Sequence, residues 1–327
     1  MSLLDLSCRR IFVTGGTGFV GRTLLDYLIS WRERTQQPFE VTVLSRQPAR
    51  FLARYVEYAN QPWLSFVPGS LSELPAPGSY TDVIHAAADT HLQEQGALWI
   101  DQIVNGTAAV LDFAVKSGAK RFLHTSSGAI YGPQPADVTE LSEDHPGAPS
   151  TVAFQSVYGQ AKRVAEQLCT VYYHEHGLHT VNARCFAFAG KHLPLDGPYA
   201  LGNFIRDALQ GDAIRVKGDG TAVRSYLDGE DMARWLLALL DSGQGGQSYN
   251  VGSDKAVSMK KLAQVVAGLL APGKSIVVEN AQPGNTHRSR YIPCIRKAAA
   301  LGLVPTYSLE QAISRSVEGC VHHVANA

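Results

Sequence analysis

Tyr158 and Lys162 lie four residues apart, in the stretch Tyr158-Gly-Gln-Ala-Lys162. Ala161, Val164, Ala165 and Leu168 recur around them at helical spacing, which predicts a helix carrying the phenol and the ammonium on one face. A free phenol titrates near pH 10 and is a poor base at neutral pH. A neighbouring ammonium stabilises the phenolate and lowers that value, each unit being worth about 1.4 kcal/mol. A tyrosine tuned in this way exchanges a proton with an alcohol. Ser127 closes the run Thr125-Ser126-Ser127 at the C-terminal end of a strand expected over Arg121–His124, and its hydroxyl is a candidate to orient the same oxygen. By itself, a Tyr–Lys pair is most often a solvated helix face, and serines at strand ends are common loop residues.

The N-terminal stretch Ile11-Phe-Val-Thr-Gly-Gly-Thr-Gly-Phe-Val-Gly21 changes that balance. Ile11 to Val13 reads as a buried parallel strand, and Val20, Leu24, Leu25 and Leu28 follow at helical spacing. Between them, Gly15 permits a tight turn, Gly18 lets a pyrophosphate approach the backbone, and Gly21 lets helix and strand pack closely. The helix N-terminus adds free N–H groups and a positive dipole end. The alternative is an ordinary glycine-rich loop, but strand, turn and helix stand in the order a dinucleotide requires. A nicotinamide held there accepts hydride from the carbon whose hydroxyl Tyr158 deprotonates.

Further strands are expected over Val41–Leu44, Leu64–Val67, from Asp82 into Ala86-Ala87-Ala88, and over Thr180–Phe186. The second ends at Ser45-Arg46, where such a fold meets the adenosine ribose. An acid there binds the 2′-OH of NAD, whereas Arg46 pairs with a 2′-phosphate and Ser45 leaves room for it, which favours NADP over NAD. Ala86, Ala87 and Ala88 let the backbone approach a cofactor, or simply a helix. The segment Gln93–Ser117 reads as mostly helical, with Asn105 interrupting its apolar face, in a structural or a ligand role. Beyond Gly190 the pattern changes to short mixed elements. The expected architecture is α/β: a Rossmann-type, doubly wound parallel sheet over residues 1–186, with returns from the C-terminal half, and a smaller mixed substrate-binding cap over 187–327.

The chain has 327 residues, 45% of them apolar, with 29 Lys plus Arg balanced by 29 Asp plus Glu. Zero net charge gives no electrostatic case for nucleic acid or an acidic membrane surface. Cys8, Cys169, Cys185, Cys294 and Cys320 have neither metal-ligand nor redox-motif spacing, so no metal is expected. An odd cysteine count fits a reducing compartment. Without a signal-type leader or an apolar run of ~18 residues, the expectation is a soluble cytoplasmic protein.

With these residues in place, the chain resembles the extended short-chain dehydrogenases/reductases, the nucleotide-sugar epimerases and dehydratases, over nearly its whole length. The motifs that carry the resemblance are Thr14-Gly-Gly-Thr-Gly-Phe-Val-Gly21, Val83-Ile-His-Ala-Ala87, Asn105-Gly-Thr107, Ser126-Ser-Gly-Ala-Ile-Tyr-Gly132 and Tyr158-Gly-Gln-Ala-Lys162. Gly202-Asn-Phe204, Gly218-Asp-Gly-Thr-Ala-Val-Arg-Ser-Tyr226 and Tyr249-Asn-Val-Gly252 extend it into the C-terminal half. The resemblance implies that Gly15, Gly18, Phe19, Val20 and Gly21 hold the pyrophosphate, and that Ser45 and Arg46 meet the adenosine. It implies that Ala86 to Ala88, Asn105, Thr125 and Phe186 lie beside the cofactor, that Lys162 also contacts its ribose, and that Ser127, Tyr158 and Lys162 are the catalytic set. Asn203 and Arg224 match positions that hold the substrate's nucleotide diphosphate. It also suggests a homodimer through the helices around 93–118 and 151–176.

The chain departs from the family pattern at Ser45, Ser70, Ala187 and Gln282, with Arg288 or Arg290 available in place of an arginine at 282. More telling is Gly128-Ala129, where 4,6-dehydratases carry an Asp-Glu pair and the decarboxylating relatives a Glu. Glu140, Glu143 or Asp144 of the following loop are the remaining sources of a carboxylate. The expected function is an NAD(P)-dependent nucleotide-sugar oxidoreductase working through a 4-keto sugar, read as an epimerase. The alternatives are an NADPH-dependent 4-keto-6-deoxy-sugar reductase, then a 4,6-dehydratase. The rival of another class, a nucleotide-sensing or scaffold protein, has no need of the Tyr158–Lys162 pair.

Overall fold

The computed structural model describes residues 4–87, 95–279 and 289–324, with side chains to 318. Ala88, Gln282 and Arg288 therefore lie outside the described residues. The chain divides into two compact units, Met1–Gly132 with Ala148–Cys185 and Ala233–Tyr249, and Pro133–Gly147 with Phe186–Met232 and Asn250–Ala327.

The first unit is built on the strands β1 (Arg10–Thr14), β2 (Glu40–Ser45), β3 (Leu64–Pro68), β4 (Asp82–His85), β5 (Arg121–Ser127) and β6 (His179–Cys185). They lie side by side in the order β3-β2-β1-β4-β5-β6, with a further strand, Gln247–Val251, beyond β6. Every pairing from β3 across to β6 is parallel. Ile11, Phe12 and Val13 are wholly buried, as a continuous apolar run requires when a strand is covered on both faces. The strand order reverses between β1 and β4, and the carboxyl ends of those strands form the crevice where such sheets take ligands.

Helix α1 (Phe19–Thr35) follows the glycine turn and buries Leu24, Leu25 and Leu28 completely. Each of these leucines contributes roughly 1.5–3 kcal/mol relative to exposure. Gln36, in the left-handed region at φ 56°, ends the helix by donating its N–H to the carbonyl of Arg32. Two short helices, α2 (Pro48–Arg54) and α3 (Val56–Ala59), fill the crossover to β3, where the sequence reading placed no element. The helical segment before β5 is continuous but not uniform. Helix α4 (Gly96–Ile100) passes through a π-turn, Asp101–Asn105, into α5 (Gly106–Lys116). The wider turn rotates Asn105 to the exposed side and buries Ile103, so Asn105 does not interrupt the apolar face as expected. After β5 comes a single 3₁₀ turn, Gly128–Tyr131, and later α6 (Val157–His176), which ends at Gly177 with φ +64°.

The second unit is mixed. Helix Ala200–Gln210 and helix Met259–Leu270 bury Leu201, Phe204, Ile205, Leu262 and Val266. Strand Ala213–Val216 pairs in parallel with Ser275–Val278. Val223–Arg224 pairs antiparallel with Val257–Ser258 and parallel with Arg290–Tyr291. Among the described residues, no helix is long and apolar enough to cross a membrane.

Candidate active site

The glycine turn between β1 and α1 is shaped by what it lacks. Gly15 sits at φ +72°, and a Cβ there would stand 2.5 Å from the carbonyl carbon of Ala86. The carbonyl of Gly15 accepts the N–H of Gly18 at 3.1 Å. A Cβ on Gly21 would meet that same carbonyl oxygen at 2.2 Å. Both glycines are thus required by the protein's own packing. Gly18 differs: it is exposed, and a Cβ there would make only an ordinary 3.5 Å contact. The protein itself has no need of a glycine at 18, which fits a requirement set by a ligand approaching from outside. Gly18 also caps α1 without a side-chain bond, leaving the first-turn N–H groups of Phe19, Val20 and Gly21 beyond the helix's own ladder. The turn fits a dinucleotide pyrophosphate.

At the end of β2, Ser45 is buried and its hydroxyl accepts the N–H of Gln47 at 3.3 Å. Arg46 is exposed and lines a cavity of about 500 Å³ with Gly69, Ser70, Glu73, Leu74 and Pro75. Arg46 and Ser70, distant in sequence, therefore face one space. Ala86 and Ala87 are half-buried, and the N–H of Ala86 donates to Thr14 O at 3.1 Å. Asn105 donates its amide to the Asp101 carboxylate at 2.7 Å.

The three candidate catalytic residues lie in the first unit on two neighbouring elements. Ser127 is the last residue of β5, buried, and its Oγ accepts the N–H of Ala129 at 3.1 Å. Tyr158 and Lys162 occupy the first turns of α6. The Tyr158 ring packs against Trp99 of α4 at 5.0 Å and against the Ile103–Ala161–Ala165 cluster. Gly159 is needed beside them, because a Cβ there would come within 2.5 Å of Ala129 O. That contact draws α6 onto the 3₁₀ turn that follows Ser127. Lys162 is only 2% exposed and donates to the carbonyl of Thr125 at 2.7 Å. Burial lowers it to about 8, against the opposing pull of Cys185, Cys169 and Glu166. The Thr125 hydroxyl in turn donates to His85 O at 3.1 Å.

Beneath this patch lies a polar assembly that sequence reasoning missed. His85 sits between Thr14 Oγ1 at 2.7 Å and Thr107 Oγ1 at 3.1 Å, and its ring stacks on that of His124 at 5.8 Å. His124 bonds Asn182 Oδ1 at 3.0 Å through Nδ1. Burial, then the charge of Lys162, lowers His85 to about 3 and takes His124 well below its ordinary value. Both rings are neutral at physiological pH. One turn beyond Lys162, Glu166 accepts from Ser126 Oγ at 2.5 Å, from Ser248 Oγ at 3.2 Å and from Arg184 at 2.8 Å. Arg184 donates onward to the Tyr131 hydroxyl at 2.8 Å. This network ties α6 to β5 and to the turn after Ser127. The available signal was a polar residue inside a buried strand run, His in Val83-Ile-His85 and in Phe122-Leu-His124.

The remaining candidates belong to the second unit. Asn203 donates to Gly197 O at 3.0 Å. Arg224 donates to the carbonyls of Val223 and Ser289, both at 2.8 Å, and its guanidinium lies 5.8 Å from the Tyr291 ring. Burial lowers the Arg224 pKa. Phe186 is buried against Tyr291, ring to ring at 4.5 Å.

Sheet order and glycine turn are those of an extended short-chain dehydrogenase/reductase. The chain belongs to the NAD dependent epimerase/dehydratase family, whose model matches residues 11–252. It is 30% identical to a dTDP-glucose 4,6-dehydratase of Actinoplanes sp., over 94% of this chain and 96% of that one. It is 29% identical to UDP-glucuronic acid decarboxylase 6 of Arabidopsis thaliana, over 93% and 86%. Among solved structures, dTDP-glucose 4,6-dehydratase from Streptomyces venezuelae, with NAD and TYD bound, superposes with a TM-score of 0.83 at 24% identity, covering 97% of this chain and 98% of that one. UDP-glucose 4-epimerase from Thermotoga maritima, with UDP-glucose, gives 0.80 at 24% identity, covering 96% and 99%.

Proposed function

We propose that this protein is a nucleotide-sugar epimerase that inverts a sugar carbinol, at C4, through a transient ketone. Tyr158 takes the carbinol proton and returns it after inversion, Ser127 aligns the oxygen, and the ammonium of Lys162 stabilises the phenolate. A nicotinamide dinucleotide, when bound, supplies the hydride acceptor and donor. Gly15, Gly18, Phe19, Val20 and Gly21 would hold its pyrophosphate, Ser45 and Arg46 its adenosine end, with Ala86, Ala87, Ala88, Asn105, Thr125 and Phe186 along it. Arg46, exposed and without an acid beside it on β2, favours NADP(H). Asn203 and Arg224 would hold the substrate's diphosphate. The named dehydratases and decarboxylases among the relatives support a nucleoside-diphosphate sugar as the substrate class.

The observation that carries the epimerase reading is Gly128-Ala129. Water loss across C5 and C6, or loss of a carboxylate from C5, proceeds with an acid–base group beside the oxidised carbon. Here the two positions after Ser127 are Gly128 and Ala129, which open the 3₁₀ turn and carry no such group, and the Ala129 N–H donates to Ser127 Oγ. Two of the three candidate carboxylates of the following loop have other work within the second unit: Glu143 accepts the N–H of Asn250 at 2.9 Å, and Glu140 pairs with Arg296 at 3.4 Å. A keto-sugar reductase is the second reading, favoured by Arg46 alone. Exposed Leu98, Ile100, Val152, Phe154 and Val164, on and beside α4 and α6, support a homodimer through these helices.

The test is to incubate the protein with UDP-, dTDP-, CDP- and GDP-hexoses without added reductant, and separately with their 4-keto-6-deoxy forms plus NADPH, and to separate the products. A stereoisomer of one hexose, with no net change at the nicotinamide absorbance band, supports the epimerase. A 4-keto-6-deoxy sugar overturns it, and turnover only of a keto-sugar with NADPH replaces it by the reductase.

A further inference from the structure

Lys162 is a buried cation whose ammonium has three N–H groups, and one of them donates to Thr125 O at 2.7 Å. A second group lies against it: the Nε2 of His124, 3.5 Å from Nζ. The state of that ring nitrogen follows from its surroundings. Asn182 Oδ1 can only accept, so the Nδ1 of His124, 3.0 Å away, carries the proton. In the neutral ring, Nε2 then presents a lone pair to the ammonium, the arrangement a positive neighbour favours. The ring is fixed in place from one face by His85, stacked at 5.8 Å and itself held by Thr14 and Thr107. A buried cation needs acceptors, and each one supplied or withdrawn changes how readily it keeps its proton.

We propose that His124 is a positioning residue for Lys162: held by Asn182 in its Nδ1–H form, it offers Nε2 as an acceptor that keeps the ammonium charged and oriented beside Tyr158. The proposal rests on the catalytic reading of Lys162 for its consequence, not for its geometry. Besides Tyr158 one turn before it, the titratable groups whose charge bears on Lys162 are Glu166 and Cys169 on its own helix, Cys185 on β6 and His85 on β4. Cys185 is pushed up to about 12 by burial, and His85 is neutral, so Glu166 is the one charged neighbour among these and stays constant in the comparison below.

The experiment titrates the ¹³Cε resonance of Lys162, assigned by its loss in Lys162→Met, in the wild type and in His124→Leu, His124→Gln and Asn182→Leu. His124→Leu removes the acceptor, and the titration midpoint is expected to fall by about one pH unit or more. Glutamine retains an acceptor oxygen and is expected to stay within about half a unit of the wild type. Asn182→Leu, which frees the ring's tautomer, is expected to lower the midpoint less than His124→Leu does. Where a nucleotide sugar is turned over, the alkaline limb of kcat/KM moves with the midpoint. An unchanged midpoint in His124→Leu, or an equal fall in His124→Gln, overturns the proposal. If His124→Leu does not fold, an unchanged midpoint in Asn182→Leu does so. If no sugar is turned over, the catalytic reading fails while the titration still decides the role of His124.

Discussion

The glycine turn and the patch around Lys162 sit at the carboxyl ends of the same sheet and are built on opposite rules. Around Gly15 and Gly21 the structure depends on atoms that are absent, since a methyl at either position would land within 2.5 Å of backbone. Around Lys162 it depends on atoms that are present: Thr125 O and the His124 ring lie against its buried ammonium, and the charge of Glu166 favours its protonated form. The turn therefore fails when something is added, and the patch fails when something is removed. The two regions also differ in reach. The turn is local, from Gly15 to Gly21, with Val43, Ala86 and Ala87 among its outside contacts. The patch draws Ser126, Tyr131, Glu166 and Arg184 together across separations of 18 to 53 residues.

The largest effect is expected from the patch. Tyr158→Phe removes one oxygen and keeps the ring against Trp99, so turnover is expected to fall about 10²- to 10⁴-fold with the melting temperature unchanged. Steady-state kinetics beside thermal unfolding checks this, and retained turnover would break the contrast at its functional end.

In the turn, position rather than chemistry decides. Gly21→Ala forces a methyl against Gly15 O and is expected to destabilise the protein by about 1–3 kcal/mol and to abolish dinucleotide binding. Gly18→Ala makes an ordinary contact, and its unfolding free energy is expected within about 0.5 kcal/mol of the wild type, with weakened dinucleotide binding as its sole large effect. Denaturant unfolding and calorimetric titration separate the two. Equal destabilisation by both would mean that the protein, not a ligand, requires Gly18.

At the edge of the turn, Arg46→Ala is expected to weaken NADP(H) binding by about 1–3 kcal/mol and to leave NAD(H) nearly untouched. A wild type that prefers NAD(H) would remove Arg46 from the account.

The smallest effect is a pH dependence of stability. Burial lowers Lys162 to about 8 from 10.5, so between these values the unfolded chain binds more protons than the native one. Stability is thus expected to rise with pH across that window, and the rise to vanish in Lys162→Met. Denaturant midpoints measured at pH 7 and pH 9.5 check the sign. A fall for the wild type relative to Lys162→Met would contradict the buried, partnered state of this lysine.

Much of the turn was legible in the sequence because its rule is local: three glycines between an apolar strand and an apolar helix leave little else to assemble. Tyr158 and Lys162 were legible for the same reason, being one helical turn apart. The support beneath them was not. Nothing near Glu166 in sequence announces Arg184 or Tyr131, and the two buried histidines become meaningful only when parallel pairing sets β4 beside β5. Asn105 misled because ideal helical periodicity cannot anticipate a π-turn, which carried it outward. The helices α2 and α3, of seven and four residues, are too short to show a helical repeat of apolar positions. Ser45 was assigned to a ribose, and its hydroxyl is also engaged by the backbone of Gln47.

The central claim is that hydride is taken from and returned to one carbon with no bond to solvent hydrogen made at carbon. It is tested most directly by running the reaction on each nucleoside-diphosphate hexose in D₂O and locating deuterium in the product by NMR. Inversion at C4 returns the abstracted hydrogen, so the expected product is a stereoisomer with no deuterium on carbon. Water loss across C5 and C6 breaks the C5–H bond, and decarboxylation replaces a carbon–carbon bond at C5 by a bond to a solvent hydron. Deuterium at C5 would therefore contradict the account and show that a carboxylate elsewhere does what Gly128-Ala129 cannot.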